Sequence, residues 1–185
     1  MINVVIDEAK EKMSKSLDHY KNELKGIRTG RASVAMFEGI KVDYYGTLTP
    51  LNQVGTLSAP EPRLITIQPW EPSLIPAIEK AIMSSNLGFN PSNDGVLIRI
   101  PIPQLTEERR KEIVKLIKKM AEDAKVVVRN IRRDANEEIK KLEKDKEISE
   151  DDAKKATVKI QEITDEFVKK IDEVTAAKEK DVMEI

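Results

Sequence analysis

LTEERRKEIVKLIKKMAEDAKVVVRNIRRDANEEIKKLEKDKEISEDDA, residues 105–153, is a run of 49 residues without glycine or proline, interrupted once by a capping signal. Apolar side chains recur through it at steps of three and four: Ile113, Ile117, Met120, Ala124, Val127, Ile131, Ala135 and Leu142. That spacing makes one apolar seam along a long helix. Thr106 is placed to cap its start, where Glu107 and Glu108 suit the positive end of the dipole. The expected helix of about 40 residues is ~60 Å long at 1.5 Å per residue. After a break near residues 146–148, Ser149 followed by Glu150, Asp151 and Asp152 reads as a second helix start, a cap with a reciprocal acid three residues on. Ala153, Ala156, Ile160, Ile163, Phe167, Ile171 and Val174 then carry the seam onward. A connection this short makes the two long helices antiparallel neighbours.

Toward the N-terminus, Ile2, Ile6, Ala9, Met13, Leu17, Tyr20, Leu24 and Ile27 repeat the same spacing until Gly26 and Gly30 close the helix. All seven glycines and all nine prolines lie between Gly26 and Pro103. These residues end or weaken helices, so their confinement marks an insert within a helical protein. Residues 32–104 hold 10 charged side chains in 73 positions, against 55 in the other 112. Within the insert, Ile40, Val42 and Tyr44 alternate as in a half-buried strand, and residues 63–67 and 96–100 are further strand candidates. Asn93, Asp94 and Gly95 supply a turn, and Pro72 begins a short helix through Ile75, Ile78, Ala81 and Ile82 that ends near Gly88. The expected fold class is α+β in two domains. Residues 1–30 plus 105–185 form an elongated antiparallel three-helix bundle, discontinuous in sequence, and residues 31–104 form an inserted small β/α/β domain.

The net charge of −1 rules out a histone-like polycation, so any contact with nucleic acid must come from a local patch. Cysteine is absent, which removes disulfides and thiolate chemistry and fits a reducing compartment. His19 is the only histidine and sits in a charged helix, where an exposed bystander is the expectation. The opening MINVVIDEAKEK has too short an apolar run for a signal peptide or membrane span, so a cytoplasmic location is expected. No P-loop, dinucleotide glycine pattern, nucleophile elbow or metal-ligand cluster is present, and the carboxylates lie on hydrated helices. Neither catalysis nor a metal or cofactor is expected. Tyr44 and Tyr45 have two readings, a platform for a base or a strand pair with one ring packed and one exposed.

The strongest local charge feature is AKVVVRNIRRDAN, residues 124–136, where Lys125, Arg129, Arg132 and Arg133 stand with no acid between Asp123 and Asp134. Their spacing places them on one side of the helix, with the valines and Ile131 expected to face the bundle. Arginine favours bidentate phosphate contact. A solvated face and a site for RNA or an acidic partner both remain open from spacing alone. Further basic groups sit at the domain junctions: Arg28 and Arg31 in IRTGRAS, and Arg109 and Arg110 in LTEERRK.

Taken together, IRTGRAS (27–33), VDYYGTLTPLNQ (42–53), EKAIMSSNLGFNP (79–91), NDG (93–95), PQLTEERRKEIVK (103–115), VRNIRRDAN (128–136) and KEISEDDA (146–153) give the chain its identity of pattern. It resembles the bacterial ribosome recycling factor family along its full length. The resemblance implies an L-shaped molecule of bundle and β/α/β domain joined by two flexible linkers. It implies a partner in the ribosome, through large-subunit ribosomal RNA, and another in elongation factor G, which with GTP splits the terminated ribosome into subunits. A monomer without membrane contact is expected. By the same resemblance Arg129 and Arg132 are the first candidates for RNA contact, with Arg133, Arg28, Arg31, Arg109, Arg110 and Lys125 behind them. The interdomain hinge maps to Gly30, Arg31 and Ala32 on one crossing and to Pro103, Gln104 and Leu105 on the other. Phe89 stands where the family commonly has leucine, Gln104 where it has proline, and Gly26 falls within the first helix. The rival readings are a coiled-coil scaffold or chaperone adaptor without RNA binding, and an enzyme with an unrecognised site in the insert.

Overall fold

In chain order the computed structural model, which describes residues 1–184, runs α1 (Ile2–Lys25), β1 (Lys41–Tyr44), β2 (Thr47–Pro50), β3 (Gly55–Glu61), β4 (Leu64–Pro69), α2 (Ile75–Ser84), β5 (Ser92–Asn93), β6 (Ile98–Pro101), α3 (Glu107–Lys144) and α4 (Glu150–Met183). The chain divides into two compact units, Met1–Thr29 with Glu107–Glu184, and Gly30–Thr106. The expected bundle segment reached Ile185, which lies outside the described residues.

The first unit is α1, α3 and α4, each packed on the other two. Its buried stripe on α3 runs through Ile113, Ile117, Ala121, Ala124, Val128, Ala135 and Ile139, mostly in steps of four. The expected stripe alternated steps of four and three as far as Ile131, through Met120 and Val127. Val127 is instead 45% exposed and Met120 only partly buried. A straight helix has 3.6 residues per turn, so a 3.5-residue pattern drifts by about 20° per heptad and loses the core face over such a length. On α1 the same effect buries Val5 rather than Ile6.

Two threonines join the apolar stripe of α4. Thr164 and Thr175 are buried, and each hydroxyl donates to the carbonyl one turn back, Ile160 O at 2.8 Å and Ile171 O at 2.7 Å. Tyr20 of α1 is hydrogen-bonded through its hydroxyl to Thr175 Oγ1. Because the single Thr175 proton goes to Ile171 O, Tyr20 is the donor in that pair.

The turn from α3 to α4 follows from its backbone bonds. Lys146 adopts φ 58°, Lys146 N–H donates to Glu143 O and Glu147 N–H to Leu142 O, both at 3.0 Å. This is the Schellman termination, with lysine at the left-handed position that usually holds glycine. Ser149 then caps α4, its Oγ accepting from Asp152 N–H at 3.1 Å, as the sequence predicts.

The second unit holds a β1–β2 hairpin and a four-stranded antiparallel sheet ordered β3-β4-β6-β5. Ile65, Ile67, Ile98 and Ile100 from the sheet, with Ile78 and Ile82 from α2, are fully buried in its core. The strands β2, β3 and β5 are absent from the sequence reading. β3, GTLSAPE, lies at the sheet edge, where Pro60 needs no ladder partner, and its register shifts between Ser58 and Glu61. Gly55 at its start is pressed against β4, since a Cβ there would lie 2.9 Å from Gln68 O.

Candidate nucleic-acid interface

Residues 124–136 lie on α3, and their position is set by the single buried valine, Val128. Three consecutive helical residues sweep about 200° of arc, so Val126 and Val127 cannot share its direction. They are 44% and 45% exposed, which corrects the expectation that the valines back the basic face together. Lys125, Arg129, Arg132 and Arg133 all fall on one flank of the buried stripe, from which Lys125 and Arg132 reach α4.

Packing then separates these four cations. Lys125 Nζ sits 2.6 Å from Asp172 Oδ1 of α4, with only 19% of its side chain exposed, so its charge is matched across the α3–α4 pair by a carboxylate that stays 57% exposed. Arg129 is 46% exposed and its Nη1 lies 3.2 Å from Glu122 Oε1. An exposed pair of this kind contributes about 0–1 kcal/mol and exchanges readily for another anion. Arg132 donates through Nη1 to Gln161 Oε1 of α4 at 3.1 Å, and Gln161 in turn donates through Nε2 to Asp165 Oδ1 at 2.8 Å. Arg133 is exposed. The flank thus presents three guanidinium groups, and Lys125 serves the helix pair.

The other sequence candidates lie outside residues 124–136. Arg28 is exposed just beyond α1, and Arg31 is exposed in the second unit. Arg109 pairs with Glu112 at 2.9 Å on the first turn of α3. Arg110 is 9% exposed. It precedes Ile113 by three residues and therefore continues the buried stripe, a correction to its expected place among phosphate-facing residues.

Two residues of this flank had no role in the sequence reading. Asn136 lies one turn beyond Arg132, and its Oδ1 is buried without a partner among the described residues, as is Arg132 Nε. Nothing in the sequence marked it, since it lies beyond Asp134, outside the acid-free run. Gln161 comes from a different helix, and only the α3–α4 register brings it to Arg132.

Within the second unit, Gly30 has φ +77°, and a Cβ on it would lie 3.0 Å from Leu105 Cγ. Ala32 N–H donates to Pro62 O at 2.6 Å and Ile102 N–H to Arg63 O at 2.9 Å, so both crossings are tied to the β3–β4 turn. Pro103 and Gln104 are exposed just beyond that tie.

Tyr44 and Tyr45 differ from a simple strand pair. Tyr45, at φ 49°, and Gly46, at φ 84°, form the two-residue hairpin turn. Both hydroxyls donate to Glu71, at 3.0 Å each, and the rings meet edge to face at 4.7 Å. Those hydrogen bonds raise both phenol pKa values. Asp94 moves the other way: the backbone N–H groups of Leu97 and Val96, and then Arg99, lower its carboxyl to about 2. This carboxylate organises the turn before β6. Among the described residues no cluster of three or more His, Cys, Asp or Glu could hold a metal, and no helix is long and apolar enough to cross a membrane.

The sequence profile described as Ribosome recycling factor matches residues 20–183. The ribosome-recycling factor of Desulfatibacillum aliphaticivorans is 58% identical over 184 residues, covering 100% of both chains. That of Syntrophobacter fumaroxidans is 56% identical over 185 residues, again with 100% coverage of both. Among solved structures, a solution structure of the ribosome recycling factor aligns with TM-score 0.75 and 46% identity over 100% of this chain and 98% of the other. The T. thermophilus ribosome recycling factor, from models of it and the E. coli elongation factor G bound to the E. coli post-termination complex, aligns with TM-score 0.66 and 45% identity over 100% of both chains. The chain therefore belongs to the ribosome recycling factor family.

Proposed function

We infer that this chain is a cytoplasmic, monomeric translation factor that binds the post-termination ribosome and, with elongation factor G and GTP, splits it into subunits. The observation that carries its RNA-binding step is the flank of α3 where Arg129, Arg132 and Arg133 stand with no acid between Asp123 and Asp134. Arginine matches phosphate in a planar fork, and a 38-residue helix backed by two others holds the backbone that carries these side chains rigidly. Docking on large-subunit ribosomal RNA through this flank requires little ordering of the protein. Family membership supports the remaining steps. In this assignment the chain performs no bond chemistry, and hydrolysis belongs to the GTPase. The crossings at Gly30, Arg31 and Ala32 and at Pro103, Gln104 and Leu105 serve as the hinge through which that partner's motion acts, as their left-handed glycine and proline suit.

The test combines the purified protein, elongation factor G, GTP and post-termination ribosomes, with free subunits measured by sedimentation. Subunits are expected only when all components are present. Their absence, with an active elongation factor matched to the family, would refute the assignment. A helical scaffold would also bind its partners equally well after the arginines were removed.

A further inference from the structure

Arg132 Nε and Asn136 Oδ1 are buried atoms without a hydrogen-bond partner among the described residues. One is a donor and the other an acceptor, and their residues stand four apart, the spacing at which helical side chains meet. Leaving such atoms unpaired is costly, so a conformation that joins them relieves both at once. The far end of the guanidinium is engaged elsewhere, with Arg132 Nη1 donating to Gln161 Oε1 at 3.1 Å. Gln161 is exposed and keeps its own bond to Asp165, so water replaces Arg132 there at small cost.

We propose that Asn136 is the positioning residue for Arg132 when the α3 flank meets RNA. The guanidinium leaves Gln161, its Nε–H donates to Asn136 Oδ1, and Nη1 and Nη2 turn outward as a fork onto a single phosphate. Asn136 thereby selects the end-on face of the guanidinium and holds it against rotation. The inference rests on the RNA-binding role of the flank given above. It explains a buried amide oxygen one turn beyond Arg132, at a position where an exposed cation would add more charge.

The experiment is a double-mutant cycle on affinity for purified large ribosomal subunits at fixed magnesium, using Asn136→Ala, Arg132→Lys and their combination. Asn136→Leu serves as a second, bulkier variant, and circular dichroism checks that each protein is folded. Lysine keeps the charge at position 132 but has no Nε–H to be held. Asn136→Ala is expected to weaken binding about tenfold in the wild-type background, the scale of one hydrogen bond to a charged group. In the Arg132→Lys background the same change is expected to shift affinity less than twofold. Equal losses in both backgrounds, or no loss from Asn136→Ala and Asn136→Leu, would overturn the positioning role. Arg132→Ala is the control that separates the two claims. If it leaves affinity unchanged, the RNA-binding flank and the positioning role both fail; if it weakens binding while Asn136 is uncoupled, only the positioning role fails.

Discussion

Replacing Lys125 and Arg129 separately by methionine distinguishes a cation that serves the fold from one that serves RNA. The two lie one helical turn apart on the same flank of α3, and a count of charges along the sequence treats them alike. Their surroundings differ: Lys125 is 19% exposed and sits 2.6 Å from Asp172, while Arg129 is 46% exposed with a 3.2 Å contact to Glu122. Each phosphate contact releases counterions and adds about −0.7 to −0.9 to the slope of log affinity against log salt. Three presented arginines therefore give a slope of about −2 to −3, where four cations would give about −3 to −4. Arg129→Met is expected to reduce the slope by about 0.7–0.9. Its effect on folding stability stays within about 0.5 kcal/mol, the scale of an exposed substitution. Lys125→Met is expected to leave the slope unchanged and to lower stability by about 1 kcal/mol at most, because Asp172 remains hydrated. The assay is sedimentation with large ribosomal subunits across a potassium series at constant magnesium, paired with urea unfolding. A slope near zero for the wild-type protein, or equal slope losses for the two variants, would refute the reasoning.

Three further outcomes follow from the geometry. Thr175→Val, which strands the buried Tyr20 hydroxyl, is expected to destabilise the bundle by about 1–3 kcal/mol, and Tyr20→Phe by about 0.5–1.5 kcal/mol. The Tyr20→Phe/Thr175→Val pair should cost less than their sum, and chemical denaturation showing strict additivity would contradict the assigned hydrogen bond. Lys146→Gly is expected to raise the thermal stability of the bundle by about 0.5–1 kcal/mol, since the left-handed backbone disfavours lysine, with a lower melting temperature as the contrary result. Asp94 has its pKa lowered from 3.8 to about 2, so its contribution is complete above pH 3.8 and declines as pH falls toward 2. Asp94→Asn should flatten the pH dependence of unfolding in that window, and an unchanged profile would remove Asp94 from the acid response.

Helices and insert were legible in the sequence because their causes are local. The absence of glycine and proline from residues 105–153 permits long helices, and apolar steps of three and four give each one a face. Ser149 and the acids after it mark a helix start through hydrogen bonds spanning three residues, and the structure shows that cap in place. The core strands β4 and β6 were legible for the same reason, each announced by a β-branched run. β3 was not, because the apolar alternation of GTLSAPE is limited to Leu57 and Ala59 before Pro60, and its extended form is held by pairing with β4.

The candidate site divides along the same line. That a basic, acid-free run lies on one flank of α3 follows from residue order and the helical repeat alone. Which of its cations face outward does not. Lys125 is matched by Asp172, 47 residues away, Arg132 meets Gln161, 29 residues away, and Arg110 enters the buried stripe. Those outcomes depend on how α4 lies against α3, which buried side chains set jointly by filling space between the helices. No short window of sequence contains that information, because a charge is presented or neutralised by whatever the packing brings within a few ångströms of it.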